Sequence, residues 1–168
     1  MPDFAKAFEN LISIEGGYVN DKFDRGGETK FGICKQCYPN LDIKNLTLEN
    51  AKRIYRRDYW DRLKLNDIKN QAVAEEIFDT GVNCGSRTAA RFLQEALNIL
   101  NGSGGKPLVV DGIIGSKTIR ACNQYRYPKA LLKAMNGLQF VHYLEIIKRD
   151  PEQERFFRGW LTRVWEHN

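Results

Sequence analysis

The 168 residues carry 26 lysines and arginines against 21 acids, a net charge of +5, with 42% hydrophobic and 28% charged side chains. That length suits one domain, or a domain with a small annex, and is enough to bury a real core. No apolar run approaches the roughly 18 to 20 residues that cross a bilayer, so stable membrane insertion is not expected.

The first helix is expected from about Asp3 to Glu15, because Phe4, Phe8, Leu11 and Ile12 fall at helical spacing. Asp3 can cap its start, and Gly16-Gly17 stop it. Residues 18–33 change character: glycines and aspartates break helices, and "TKFGI" alternates polar and apolar like a short strand. A small β-hairpin lobe is the simplest reading.

From Thr47 onward the pattern is helical. Thr47 caps a helix with Ala51, Ile54, Tyr55 and Tyr59 on one side, and Trp60 reads as a core anchor. A second stretch puts Val73, Ile77 and Phe78 on one face and stops near Gly85. Ser86 starts the next, with Ala89, Ala90, Leu93, Ala96 and Leu97 inward and "NGSGG" closing it. Asp111-Gly112 marks a turn before a helix capped by Ser116, and Pro128 and Pro151 suit the first turns of two more. The fold class is mainly α with a small β element near the N-terminus.

Glu15 lies four residues after Leu11 and seven after Phe8, so it continues the apolar stripe. A carboxylate facing a core, at the negative end of a helix, is disfavoured in its charged form, and the retained proton is what a general acid needs. Asp21 and Asp24 follow in a glycine-bounded turn. A protonated acid beside a solvated aspartate is the two-carboxylate arrangement of glycoside hydrolysis. Plain capping by Glu15 and turn chemistry by the aspartates are the competing readings. Tyr18 and Phe31 flank the carboxylates and can pack against sugar rings, or serve as core. Asp79 and Asn83 share a helical face and suit hydrogen bonds to a substrate, or a cap network.

Cys34 and Cys37 form a C-x-x-C, but no second pair or nearby histidine completes a zinc set, and Cys84 and Cys122 stand alone. Neither metal nor cofactor is expected. Residues 117–168 hold 10 bases and 5 acids, against 16 of each in residues 1–116. Such an excess attracts polyanions (nucleic acid, anionic membrane or an acidic cell wall) or simply solvates a helical face. No recognition-helix or aromatic RNA-binding pattern accompanies it, so no nucleic-acid partner is expected.

"EGGYVNDKFDRGGETKFGI", with "YRRDYWD" and "IFDTGVNCG", resembles glycoside hydrolase family 108, the lysozyme-like N-acetylmuramidases of phages, prophages and bacteria. "FLQEALNIL", "VVDGIIGSKTIRAC" and "FFRGWLTRV" resemble the predicted peptidoglycan-binding region that follows in such proteins. The resemblance implies a lysozyme-like helical fold with a catalytic region at 1–85 and a peptidoglycan-binding region at 86–168, packed into one globular unit. It implies cleavage of the β-1,4 bond between N-acetylmuramic acid and N-acetylglucosamine. The family's catalytic glutamate falls on Glu15. Phage-type lysozymes place an Asp nine residues later, which Asp24 meets, and a Thr six beyond that, where Lys30 stands beside Thr29.

By that similarity Glu15 protonates the glycosidic oxygen, while Asp24 with Thr29 positions water for inversion. The resemblance also implies that "LQEALN", "DG" and "TIR" touch carbohydrate, although their spacing fits structural docking better. A non-catalytic cell-wall binding or secretion-associated protein is the alternative. The start "MPDFAKAFEN" lacks a secretory pattern. The expectation is therefore synthesis in the bacterial cytoplasm, with a holin or another export partner releasing the protein to the wall.

Overall fold

The computed structural model describes residues 1–14, 27–102 and 106–165. The chain divides into two compact units, residues 3–61 and residues 62–168 together with the first two. The fold is mainly α with one short antiparallel hairpin after the first helix, as the sequence led us to expect.

In the first unit, α1 (Phe4–Ile14) begins where Asp3 Oδ1 accepts from the amides of Ala5 at 2.8 Å and Lys6 at 3.4 Å. Its apolar stripe buries Phe4, Ala7, Phe8 and Leu11. Phe4 lies edge-on to Trp60, with ring centroids 5.4 Å apart, and Phe8 lies 5.8 Å from Tyr55. Strands β1 (Thr29–Lys30) and β2 (Ile33–Cys34) pair in the register Thr29↔Cys34, Lys30↔Ile33. "TKFGI" is therefore two strands around a turn at Phe31-Gly32, rather than one alternating strand. Both turn residues have positive φ, 53° and 73°, which matches the twist of a tight hairpin.

Thr47 caps α2 (Leu48–Tyr55) as expected, its hydroxyl accepting from Asn50 N at 3.2 Å. Arg56–Asp61 then continues as a π-helix. The wider winding brings residues five apart into line, so Trp60 is fully buried after Tyr55, while Tyr59 is only half-buried. Tyr38 donates from its hydroxyl to Asp58 Oδ2 at 2.8 Å, tying the loop after the hairpin to this segment. Burial and that bond push the Tyr38 phenol well above its usual range.

The second unit is a helical cluster: α3 (Gln71–Cys84), α4 (Ser86–Asn101), α5 (Ser116–Gln124), α6 (Pro128–Arg149) and α7 (Glu154–Trp165). Asn70 caps α3, accepting from Val73 N at 3.1 Å, and Gly85 (φ 89°) separates α3 from α4. Ala89, Ala90, Leu93, Ala96 and Leu97 all point inward. Ser116 is the first helical residue of α5 rather than its cap, a place taken by Gly115 without a side-chain bond. Pro128 opens α6, and Pro151 opens a short 3-10 turn ahead of α7.

Inside this unit Gln94 is a buried polar hub. Its Nε2 donates to Asp111 Oδ1 at 2.8 Å, Ile113 O at 3.0 Å and Thr118 Oγ1 at 3.3 Å, and its Oε1 accepts from Gly112 N at 3.0 Å. Asn98 clamps both polar groups of Leu108, at 2.9 and 2.7 Å. The residues of "LQEALN", "DG" and "TIR" thus dock the 108–115 segment onto α4 and α5. Among the described residues, no helix is long and apolar enough to cross a membrane.

Candidate functional site

The turn Phe31-Gly32 shapes the described part of the expected catalytic lobe. Phe31 sits in left-handed backbone, a conformation that costs a non-glycine residue about 1–2 kcal/mol. Two contacts offset that cost. Tyr55 donates its hydroxyl to Phe31 O at 2.9 Å, and Lys30 Nζ stands 5.5 Å from the centre of the Phe31 ring while donating to Lys44 O at 3.0 Å. The ring is left half-buried.

Thr29 opens β1, and its hydroxyl donates to Gly27 O at 3.4 Å. That bond is long and weak, so the hydroxyl is free to reorient toward a water or a substrate at little cost. Glu15, Tyr18, Asp21 and Asp24 lie outside the described residues. Helix α1, whose stripe leads to Glu15, is described up to Ile14.

Across the hairpin, Cys34 and Cys37 bring their sulfurs to 2.8 Å, and Cys37 N donates to Cys34 Sγ at 3.4 Å. The hydrogen bond with Cys34, aided by desolvation, pushes the Cys37 thiol up to about 11. Among the described residues no cluster of three or more His, Cys, Asp or Glu is arranged to hold a metal.

In the second unit, Asp79 and Asn83 lie one turn apart on α3 and bond to each other. Asn83 Nδ2 donates to Asp79 Oδ2 and to Asp79 O, both at 3.0 Å. A carboxylate only accepts, so the Asn83 amide nitrogen must face it, and Asn83 Oδ1 is turned outward. The other Asp79 oxygen receives Arg163 NH1 of α7 at 2.8 Å. No local pattern marks Arg163 as the partner of Asp79, because the two stand 84 residues apart. Nearby, Cys84 Sγ approaches Tyr143 OH at 3.8 Å, and Gln139 Nε2 donates to the same hydroxyl at 2.9 Å. Burial pushes Cys84 up to about 11 and Cys122 up to about 12, which keeps both thiols protonated and inert.

The structure thus brings Asp79 and Asn83 together in one unit and places Thr29 and Phe31 on one hairpin in the other.

Residues 8–85 match the glycosyl hydrolase 108 family, and residues 88–165 match a predicted peptidoglycan domain. The N-terminal half is thus similar to glycosyl hydrolase family 108. Together the two matches support a glycoside hydrolase that acts on peptidoglycan, on a mainly α, lysozyme-like fold. The chain is similar to the solved structure of Brucella abortus SagA, at 27% identity and a TM-score of 0.77, over 96% of this chain and 88% of that one. No curated protein matches it. The boundary between the two family 108 and peptidoglycan-domain matches falls at the Gly85 break between α3 and α4.

Proposed function

We propose that this hydrolase is an N-acetylmuramidase, cleaving the β-1,4 bond from N-acetylmuramic acid to N-acetylglucosamine. What supports the reading is the place of Glu15 in the sequence, inside the stretch similar to family 108, one residue after Ile14, four after Leu11 and seven after Phe8. Glu15 is the general acid that protonates the leaving glycosidic oxygen. Asp24, nine residues on, activates or orients the attacking water, and Thr29 holds that water with a hydroxyl that is only weakly engaged. Attack from the face opposite the acid inverts the anomeric centre.

The residues assigned to substrate contact are Tyr18, Asp21 and Phe31, near Glu15 and Asp24 in the sequence, and separately Asp79 and Asn83 on α3. Within the last pair, Asp79 is a positioning residue with both oxygens engaged by the protein. The outward Asn83 Oδ1 is the acceptor suited to an N-acetyl N–H. In the same reading a holin or another export partner delivers the chain from the cytoplasm to the wall.

Dye release from labelled peptidoglycan tests the acid directly. Wild type should release dye, and Glu15→Gln should lower the rate at least about a hundredfold, as expected for loss of general-acid catalysis. Full activity in Glu15→Gln would remove Glu15 from the mechanism. Fresh-product NMR on a soluble oligosaccharide tests inversion, with the α-anomer expected first.

A further inference from the structure

Between Asp111 and Glu145 the chain contains no acid, yet it presents Lys117, Arg120, Arg126, Lys129 and Lys133. All five side chains are exposed, and none forms an ion pair among the described residues. The fold draws them close. Lys117 and Arg120 are three apart on α5, Lys129 and Lys133 are four apart on α6, and Arg126 sits in the link of residues 125–127 that joins the two helices. At about 1.5 Å per residue, Arg120 and Lys133 each stand within about 9 Å of that link along their helix axes. Each helix buries an opposing stripe, Thr118 with Cys122 in α5 and Leu131 with Met135 in α6, leaving the basic positions on the solvent side.

Stability does not account for this arrangement. The first turns of α5 and α6 hold no acid and no side-chain cap, and each carries a lysine against the positive end of its own dipole. A stable helix prefers the reverse, and local rules broken without a stabilising return are a mark of function. The platform is also fixed in place. Asn123 holds the neighbouring segment by donating to Asp67 O at 2.8 Å and accepting from Lys69 N at 2.7 Å. Tyr127, 62% exposed, stands edge-on to Tyr125 with centroids 6.1 Å apart, a flat apolar face among the charges.

We infer that this α5–α6 surface binds the peptidoglycan itself, its five bases pairing with the free carboxylates of the stem peptides while Tyr127 packs on a sugar ring. The surface lies inside the stretch matched by the peptidoglycan domain, and stem peptides offer repeated carboxylates beside sugars, which is the complement of a basic and aromatic patch. The inference rests on the peptidoglycan reading above and adds to it where, and by which groups, the polymer is held.

The test is co-sedimentation of the full chain carrying Glu15→Gln with purified, insoluble sacculi stripped of teichoic acid. The surface variant adds Lys117→Gln, Arg120→Gln, Arg126→Gln, Lys129→Gln and Lys133→Gln, with its melting curve as a folding check. The parent should bind and lose about tenfold in affinity from about 50 to about 300 mM salt, and the surface variant should be about tenfold weaker at low salt. Sacculi whose carboxylates are amidated with carbodiimide should bind the parent as weakly as the variant binds native sacculi. That arm decides the matter even if the variant misfolds. Equal binding of parent and folded variant, or undiminished binding to amidated sacculi, would overturn the inference while leaving the hydrolase reading intact. Tighter binding to a DNA duplex than to sacculi would overturn it in favour of nucleic acid. No binding of the parent, together with no dye release by wild type, would instead count against the peptidoglycan reading.

Discussion

Asp79 of α3 and Arg163 of α7 form an ion pair of 2.8 Å, with side chains only 17% and 10% exposed. Most of the pair's surroundings are protein, so screening is weak and an unpaired charge is costly. The pair fastens the last helix to α3, beside the stack of Tyr143 on Trp160 at 5.1 Å. Arg163→Met should lower stability by about 1–3 kcal/mol, read as a fall in Tm, and should make α7 cut faster in limited proteolysis. Asn83→Ala removes an exposed amide and should leave stability within about 0.5 kcal/mol of wild type while raising KM for peptidoglycan several-fold. An unchanged KM would confine Asn83 to its bond with Asp79.

Phe31 offers a separation of stability from binding. Phe31→Gly relieves the left-handed backbone strain, worth about 1 kcal/mol, and loses a cation–π contact worth about 0.5–1 kcal/mol. The two nearly cancel, so Tm should hardly move. If the ring packs on a sugar, KM rises while the fold is intact; if activity is unaffected, the ring is scaffold alone.

The Gln94 hub predicts a purely structural loss. Gln94→Leu strands the amide of Gly112 and removes the donor from the Asp111 carboxylate, the Ile113 carbonyl and the Thr118 hydroxyl. Stability should fall by about 2–4 kcal/mol. Gly112→Ala should be similarly damaging, because a Cβ there falls 2.5 Å from Arg87 Cγ and 3.0 Å from Arg87 O at a φ of 76°. In both variants Tm carries the effect, and kcat below the transition should stay near wild type.

His142 gives a pH signature. Burial, with the Arg149 charge adding to it, holds its pKa below the usual 6.5, and its ring stands edge-on to Phe92 at 5.6 Å. The unfolded chain therefore binds this proton more readily than the folded one. The stabilising contribution is complete above about 6.5 and is lost as pH falls from there through the folded pKa. Tm should decline in that window, above the range where the lowered carboxylates Asp42, Asp111 and Glu145 titrate. In His142→Phe the decline below about pH 6.5 should shrink. A Tm profile unchanged by that substitution would assign the slope elsewhere.

What was legible in the sequence was chiefly periodicity and local chemistry. The stripes of α1 and α4, the Thr47 cap and the Gly85 break could all be read because each depends on residues within one or two turns. The hairpin was legible as a lobe, but its turn was hidden because Phe31 occupies a conformation that usually selects glycine. Ser116 invited a cap assignment, yet it is the first helical residue of α5, and the cap position falls one residue earlier, on Gly115. Tyr59 followed the α period inward, whereas π winding gave the buried place to Trp60. The long-range partners, Arg163 for Asp79 and Tyr55 for Phe31, had no local signal at all. For the site, the four residues Glu15, Tyr18, Asp21 and Asp24 rest on sequence pattern and family match, while Thr29, Phe31, Asp79 and Asn83 have a described geometry.

The most direct test of the central claim is mass spectrometry of muropeptides after digestion in H₂¹⁸O. Hydrolysis by a muramidase predicts new reducing ends on N-acetylmuramic acid, each carrying one ¹⁸O, and their near absence with Glu15→Gln. Reducing ends on N-acetylglucosamine, unlabelled anhydro products, or full labelling by Glu15→Gln would contradict it.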